Sequence, residues 1–153
     1  MKICIINGPN LQLLGTREPD VYSKITLDDI TAKIKNLAKN FKNVRVEFFQ
    51  SNNEGEIVDK IGNLYKSGCD GIIINPAAYT HTSIAIYDAL KAVNIPTIEV
   101  HISNIYKRES FRRHSITAGA CIGQISGLGI KSYECAFSVL IDYINNNNEN
   151  SEG

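Results

Sequence analysis

Glu99 and His101 are two residues whose types and spacing could support acid–base chemistry. They lie two positions apart in an apolar run that is typical of a β-strand, so their side chains are expected on the same face. A carboxylate beside an imidazole can orient the ring and favour its charged form, as a general acid requires. A structural ion pair is an equally simple interpretation. Ser103 continues the spacing, but no G-x-S-x-G elbow supports a Ser–His–Glu hydrolase.

Two further polar clusters come directly after predicted strands. Residues 7–10 (Asn-Gly-Pro-Asn) follow the first apolar run, and residues 75–83 follow the isoleucine run at 72–74. The first cluster alone is explained by a turn, and a hydroxyl in the second is expected to cap a helix, with His81 at the surface. Parallel sheets nevertheless bind ligands at the carboxyl ends of their strands, so the clusters together predict a site there.

A long loop separates the first predicted strand from the first predicted helix. It spans residues 7–24 and carries Arg17 and Tyr22, whereas most such connections take only a few residues. Farther along, Arg112 and Arg113 are adjacent, and a solvated loop with salt bridges would explain them. Because the formal net charge is +0, an anionic ligand would have to be held by a few local cations of this kind.

No metal or nucleotide motif is evident in the sequence. The histidines lack HExxH or Cys/His spacing, so we expect no metal site. A Gly-Leu-Gly at 127–129 lacks the third glycine of a dinucleotide fingerprint. The cysteines are too far apart for a CxxC pair, and we expect buried, reduced thiols of a cytoplasmic protein. They are Cys4, Cys69, Cys121 and Cys135.

Length and composition are those of one globular domain. The chain has 153 residues, of which 43% are hydrophobic and 21% charged, enough for one core. The neutral net charge favours neither nucleic acid nor an anionic membrane as a partner, and no apolar stretch has the length of a membrane span. We find no signal-peptide pattern. We expect a single catalytic domain over residues 1–145 and a polar, disordered tail over 146–153.

Apolar periodicity predicts strands and helices that alternate along the whole chain. This pattern favours an α/β fold, a flavodoxin-like doubly wound five-stranded parallel sheet with helices on both faces. Thr26 is expected to cap the first helix. The predicted strands are 3–6, 44–49, 71–75, 96–102 and 121–125, and the predicted helices are 26–41, 54–66, 82–93 and 133–144.

Five motifs in this order resemble those of the type II 3-dehydroquinate dehydratase family. They read NGPNLQLLGTREPDVY, FFQSNNEGEIVDKI, NPAAYTHTSIAIYDAL, IPTIEVHISNIYKRESFRRHS and a late GLG. Ordered motifs with matching spacing are more specific together than any one alone, and these cover nearly everything but the tail. The resemblance implies a flavodoxin-like hydro-lyase of the shikimate pathway that converts 3-dehydroquinate to 3-dehydroshikimate and water. It implies no metal, no Schiff base, and a dodecamer of four trimers.

The resemblance also implies a role for each candidate residue. Tyr22 would be the base, and Arg17 the fixed cation that favours its phenolate, on a loop that acts as a mobile lid. His101 would be the general acid, oriented by Glu99, and Asn10 would hold a water or the developing enolate oxygen. The implied substrate-binding residues are Asn75, His81, Asp88, Ile102, Ser103 and Arg112. Asp88 would reach the site of a neighbouring subunit.

Small departures from the family pattern leave the chemically active groups in place. Gln12 stands where asparagine is common, and glycine is frequent at the positions of Ser23, Ala77 and Ser132. Glycine reaches backbone conformations that other residues avoid, so Ser23 could alter how the loop hinges.

Two other classes of function are alternatives to the dehydratase. One is a non-catalytic, flavodoxin-like module that binds a flavin or a phosphate. It is disfavoured because Pro9, after the first strand, removes an amide donor that a phosphate loop would use. The other is an inactive relative with an interaction role, which the retained Arg17, Tyr22 and His101 argue against.

Overall fold

The sheet of this protein has five parallel strands. The computed structural model describes residues 1–16 and 25–151. The strands follow the order β2-β1-β3-β4-β5, and each neighbouring pair is parallel. The strand order reverses between β1 and β3, so the predicted flavodoxin-like topology is confirmed. The strands are β1 (Lys2–Asn7), β2 (Arg45–Gln50), β3 (Gly71–Asn75), β4 (Thr97–His101) and β5 (Gly123–Ser126).

Helices cover both faces of the sheet because the central strands are apolar on both sides. Along β1, Ile3 and Ile5 pack under α1 and α4, whereas Cys4 and Ile6 pack under α2 and α3. No helix in the described part of the chain has the length and apolarity needed to cross a membrane. The helices are α1 (Leu27–Ala38), α2 (Glu54–Lys66), α3 (Ile84–Val93) and α4 (Lys131–Ser151).

Side-chain caps fix where two of these helices begin. Thr26 caps α1 as predicted, in a reciprocal capping box with Asp29. Helix α3 begins two residues later than predicted, because a 3₁₀ turn at Ala77–His81 precedes it and Ser83 caps it. The hydroxyl of Ser83 accepts a hydrogen bond of 2.9 Å from the amide of Ile86. The 3₁₀ turn gives the segment after β3 a compact path over the sheet edge.

Helix α4 is longer than the sequence indicated. It continues to Ser151, so residues 146–151, which were expected to be a disordered tail, are helical. Once a helix is nucleated, each added residue closes one more backbone hydrogen bond, and asparagine opposes this only weakly. Residues 152–153 lie outside the described part of the chain.

The cysteines are all free thiols, but they are not all buried. Cys4 and Cys69 lie in the core as expected, whereas Cys121 is half-buried and Cys135 is exposed on α4. Cys135 is next to Ala136, which is fully buried, because neighbouring helix positions face different directions. The expectation of buried thiols is therefore wrong for Cys135.

Candidate active site

A cavity of about 330 Å³ opens at the carboxyl ends of β1, β3 and β4. This is the edge of the sheet where the order of the strands reverses and where α/β sheets bind ligands. All three polar clusters singled out in the sequence contribute to its wall. The lining residues are Pro9, Asn10, Leu11, Leu14, Asn75, Ala77, Ala78, His81, His101, Ile102, Ser103, Ile105, Arg108 and Arg112.

Glu99 and His101 form a buried pair at the end of β4, as their spacing predicted. The Glu99 carboxylate is 2.7 Å from Nε2 of His101, and the exposed fractions of the two residues are 0% and 5%. Because His101 lines the cavity and its Nε2 is used by Glu99, its Nδ1 is the ring nitrogen left for a ligand. Nδ1 has no hydrogen-bond partner among the described residues.

Glu99 carries a negative charge in a site from which water is excluded. Burial by itself raises the pKa of this carboxyl, but hydrogen bonds from His101, Thr117 and Ser115, with the attraction of His101, outweigh it and lower the pKa. The net direction is down, so Glu99 is a carboxylate at neutral pH. A fixed carboxylate can hold the adjacent imidazole in one orientation and stabilise it when it is protonated.

Asn75 reaches the cavity from β3 with its side chain held on two sides. Its Oδ1 accepts a hydrogen bond of 3.2 Å from the amide of Ala77, and its Nδ2 donates one of 2.9 Å to the hydroxyl of Tyr133. Tyr133 in turn donates a hydrogen bond of 2.6 Å to Oδ1 of Asn7. These hydrogen bonds determine the orientation of the side-chain amide of Asn75.

Asn10 enters the cavity from the turn after β1. Its backbone is left-handed, with φ of 67°, a conformation that asparagine tolerates better than most residues. The backbone amide of Asn10 donates a hydrogen bond of 2.9 Å to Oδ1 of Asn52. The same oxygen also accepts one of 3.2 Å from Nε2 of Gln50. The residues after β2 thus hold the turn that presents Asn10.

His81 faces the cavity from the 3₁₀ turn after β3. Its Nδ1 is 2.7 Å from the carbonyl oxygen of His114. A carbonyl can only accept, so Nδ1 carries the proton, and Nε2 of the neutral ring is an acceptor. His81 can therefore accept a hydrogen bond from a hydroxyl of a ligand.

Two arginines bring positive charge to the cavity. Arg112, which the sequence singled out, pairs with Glu109 at 3.5 Å and lies over the ring of Phe111 at 5.1 Å. Arg108 also lines the cavity and is 3.9 Å from Glu109. One carboxylate faces two guanidinium groups here, which leaves a local excess of positive charge for an anionic ligand.

Ile102 and Ser103 line the cavity directly after β4. The carbonyl of Ile102 accepts a hydrogen bond of 3.0 Å from the amide of Gly129, and that of Ser103 accepts one of 3.2 Å from the hydroxyl of Ser126. Their carbonyls are therefore engaged with the last residue of β5 and the segment that follows it. The hydroxyl of Ser103 has no partner in the described ranges, so it is available to a ligand.

Two predicted site residues in the described part of the chain, Asp88 and Glu99, do not line the cavity. Asp88 is exposed on α3. Arg17 and Tyr22, the expected cation and base, lie outside the described residues. Glu99 contacts the ring of His101 from behind the cavity wall. The other predicted residues are brought together at one edge of the sheet.

Sequence reasoning missed the residues that support the site. Ser115, Thr117 and Gln124 bind Glu99, Tyr133 binds Asn75, and Arg108 lines the cavity. Only Arg108 carries a signal in the sequence, as a third cation close to Arg112. Within residues 1–16 and 25–151, no group of three or more His, Cys, Asp or Glu side chains is arranged to hold a metal ion.

Comparison with known proteins identifies the family. A 3-dehydroquinate dehydratase of Carboxydothermus hydrogenoformans is 54% identical over 144 residues, which cover 94% of this chain and 92% of that protein. One of Caldicellulosiruptor bescii is 58% identical over 139 residues, 91% of this chain and 95% of that protein. The crystal structure of type II dehydroquinase from Butyrivibrio crossotus superposes with a TM-score of 0.87 at 51% identity, covering 92% of this chain and 97% of that one.

The match to the family itself extends over nearly the whole domain. The model of the family described as dehydroquinase class II matches residues 1–141, which include every strand of the sheet and the Glu99–His101 pair. The chain belongs to the class II dehydroquinase family.

Proposed function

We propose that this protein is a 3-dehydroquinate dehydratase, a hydro-lyase of the shikimate pathway. It removes water from 3-dehydroquinate by anti elimination through an enolate and gives 3-dehydroshikimate. The observation that carries the proposal is the buried Glu99 carboxylate 2.7 Å from His101 at the wall of the cavity. Family membership indicates the reaction, and the Glu99–His101 pair provides the acid that the reaction needs.

The elimination needs three chemical groups. A base removes the proton from the carbon beside the ketone, a hydrogen-bond donor stabilises the enolate oxygen, and an acid protonates the hydroxyl that leaves from the next carbon. The electron pair of the enolate then forms the carbon–carbon double bond as the C–O bond breaks. Water carries away the acid's proton and the electrons of the broken bond.

His101 is the acid of this proposal. Its ring lines the cavity, while Glu99 holds it through Nε2 and stabilises the protonated imidazole. Glu99 is buried with its charge intact, so its field acts on the imidazole without screening by water. After proton transfer, the ring is neutral, and it takes a proton from solvent while the base releases to solvent the proton that it removed from the substrate.

Asn10 holds the enolate oxygen, directly or through a water. An amide donates hydrogen bonds without titrating, so it serves at any pH where the acid and base are competent. The left-handed turn and its bond to Asn52 support this role, because they fix the backbone from which the side chain projects.

The substrate's carboxylate and hydroxyls match the polar groups of the cavity. Arg112, Ser103 and the backbone at Ile102 bind the carboxylate, and Asn75 and His81 bind ring hydroxyls. The local positive charge of the arginines favours an anionic substrate, and Nε2 of His81 is the ring nitrogen left for a hydrogen bond with a ring hydroxyl. Because these groups come from different strands, they fix the orientation of the ring as well as its position.

Tyr22 is the base, and Arg17 holds its phenolate. A free phenol has a pKa of about 10, so little of it is ionised at neutral pH without such a cation. The test is Tyr22→Phe, which we expect to reduce turnover about 100-fold or more while the fold is retained; near-normal turnover would remove Tyr22 from the mechanism.

The assembly is a dodecamer of four trimers in which Asp88 reaches a neighbouring subunit's site. Its exposure on α3, away from the cavity of its own chain, supports a contact with another chain. The measurement is mass by light scattering, with Asp88→Ala as a variant that should keep the mass and weaken substrate binding. We also place the protein in the cytoplasm, in keeping with four free thiols.

The experiment for the proposed function is an assay of purified protein with 3-dehydroquinate. The product is a conjugated enone, so its ultraviolet absorbance should grow, with EDTA present and after treatment with borohydride. Borohydride added together with substrate would reduce the imine of an enzyme that works through a Schiff base and so inactivate it, and EDTA would inactivate an enzyme that needs a removable metal. Absence of enone formation by folded protein would overturn the proposal. A flavin co-purifying with inactive protein would favour the binding module instead.

A further inference from the structure

The buried carboxylate of Glu99 accepts hydrogen bonds from several side chains besides that of His101. Oε1 accepts hydrogen bonds of 2.8 Å from the hydroxyl of Ser115 and 2.8 Å from Nε2 of Gln124, besides the contact with His101. Oε2 accepts one of 2.5 Å from the hydroxyl of Thr117. The two oxygens of a carboxylate offer about four acceptor sites, so Glu99 is close to fully coordinated.

Thr117 is the sole partner of Oε2 among the described residues, and it is itself rigid. Its exposed fraction is 0%, and it lies in the 3₁₀ turn Thr117–Ala120. The hydroxyl of Ser115 accepts a hydrogen bond of 2.9 Å from the amide of Ala118, which fixes the start of the same turn. Thr117 therefore presents its hydroxyl to Glu99 from a backbone that cannot easily move away.

Gln124 approaches Glu99 from the other side, across the sheet. It is the direct neighbour of Glu99 in the β4–β5 register, so the pairing of these strands sets its distance. Its Oε1 is 3.4 Å from the hydroxyl of Tyr106, which is consistent with Nε2 being the end that faces the carboxylate. Donors from the segment of residues 115–117 and from β5 thus hold the Glu99 carboxylate from two sides.

We propose that Thr117, together with Ser115 and Gln124, is a positioning residue that keeps Glu99 an oriented carboxylate and thereby holds the His101 imidazole in place for the acid step. The part of this proposal that concerns catalysis rests on the proposed function. Without a donor at Oε2 a buried carboxylate becomes easier to protonate. A protonated Glu99 no longer stabilises the charged imidazole, so the acid would be lost although every group that touches the substrate is still present.

The ionisation of Glu99 agrees with this arrangement. Burial raises the pKa of its carboxyl, yet the donors together leave the pKa below its ordinary value. The titratable groups that face it are His101 on the same strand and the thiol of Cys121 beyond the 3₁₀ turn, whose pKa is raised to about 12 by burial first and by Glu99 second. In the strand pairing, its neighbours are Ile74 on β3 and Gln124 on β5, which are neutral.

The test compares Thr117→Val with Thr97→Val. Thr97 is a matched control because it is also buried, at 1% exposure, and its hydroxyl bonds the backbone carbonyl of Ile95 at 2.8 Å rather than Glu99. We expect kcat of Thr117→Val to fall about 10-fold or more with KM changed less than about threefold, since no group that binds substrate is removed. Thr97→Val should keep both constants, and Thr117→Ser should restore most of kcat.

A second measurement does not depend on the reaction. The bond from Thr117 stabilises the fold only while Glu99 is ionised, so it contributes fully above the carboxyl's unfolded pKa of about 4.3 and is lost as pH falls through the lower folded value. The Tm of Thr117→Val should therefore lie below that of Thr97→Val by several degrees at pH 7, and the gap should close toward pH 3.

The two measurements separate the possible failures. If the wild-type protein does not dehydrate 3-dehydroquinate, the proposed function fails, and the pH dependence of the Tm gap still decides whether Thr117 holds the Glu99 carboxylate. If the wild type is active but Thr117→Val loses no more kcat than Thr97→Val, the positioning role is overturned. A Tm gap that is the same at pH 3 and pH 7 would overturn it as well.

Discussion

Asn75 and Tyr133 are joined by a buried hydrogen bond of 2.9 Å, from the side-chain amide on β3 to the phenol on α4. The phenol in turn donates a hydrogen bond of 2.6 Å to Oδ1 of Asn7. A chain of donors thus runs from the amide of Ala77 through Asn75 and Tyr133 to Asn7. It links the ends of β1 and β3 at the floor of the cavity.

Tyr133→Phe tests this link, because it removes one hydroxyl and leaves the ring. Oδ1 of Asn7 and Nδ2 of Asn75 would lose their shared partner in a buried site, which costs about 1–3 kcal/mol of unfolding free energy. Asn75 would also become free to rotate, so KM should rise several-fold. Tyr143→Phe, on the exposed side of the same helix, should change neither quantity; equal effects of the two variants would contradict the link.

Ala77→Gly should not lower the free energy of unfolding, although most substitutions of alanine by glycine lower it. Ala77 has φ of 52°, a left-handed conformation that strains a residue with a Cβ by about 1–2 kcal/mol. Relief of that strain offsets the greater chain entropy of unfolded glycine, about 0.4–1 kcal/mol. The measurement is urea unfolding, beside Ala78→Gly in the same 3₁₀ turn. Ala78→Gly should destabilise; a larger loss from Ala77→Gly would refute the strain.

Gly8→Ala should damage the cavity, because the strand ends approach each other closely there. A Cβ on Gly8 would lie 2.7 Å from the carbonyl carbon of Pro76, and the backbone of Gly8 already bonds Asn75 at 2.8 Å. We expect a loss of about 1–3 kcal/mol and a lower kcat, since Asn10 and Asn75 would be displaced.

Gly62→Ala is the control for that prediction. Gly62 lies within α2, where an added Cβ meets nothing within 4 Å. This variant should gain up to about 1 kcal/mol from its helix propensity. Thermal unfolding and turnover of both variants check the pair. Unchanged turnover and stability of Gly8→Ala would mean that the close approach does not shape the site.

Glu99→Gln should make the free energy of unfolding less dependent on pH between pH 7 and pH 3. The folded pKa of Glu99 is lowered, so its charge stabilises the fold above the unfolded pKa of about 4.3, and this contribution is lost as pH falls through the folded value. Glutamine cannot accept all of the donors that face it, so stability at pH 7 should drop by about 1–3 kcal/mol. Denaturant unfolding from pH 7 to pH 3 should give converging curves; parallel curves would contradict the assigned direction.

The sheet and its helices were predictable from local pattern. Isoleucine runs such as 72–74 indicated strands covered on both faces, and the spacing of Ile57, Ile61 and Leu64 indicated α2 within its observed bounds. The 3₁₀ turn Ala77–His81 was not, because it is too short for its three-residue period to appear in the sequence. The end of α4 was missed because the asparagine-rich composition indicates how such segments behave on average. It does not reveal that a helix packed on the core continues into this one.

The candidate site was predictable only where its residues lie at strand ends. Asn10 follows β1, and Asn75 and His101 end β3 and β4. The fold rule alone brings residues at such strand ends together. Thr117 and Tyr133 come from segments far along the chain, and neither type suggests chemistry by itself. Their importance depends on contacts with Glu99 and Asn75 that only the folded chain reveals.

The most direct test of the account is the dehydration of 3-dehydroquinate by His101→Asn beside the wild-type protein. We expect kcat to fall about 100- to 10,000-fold, because asparagine cannot deliver a proton to the leaving hydroxyl. KM should stay within a few-fold, and His114→Asn, whose exposed ring is not part of the cavity wall, should behave as wild type. Turnover of His101→Asn at the wild-type rate would contradict the central claim that this imidazole, held by Glu99, is the acid of the elimination.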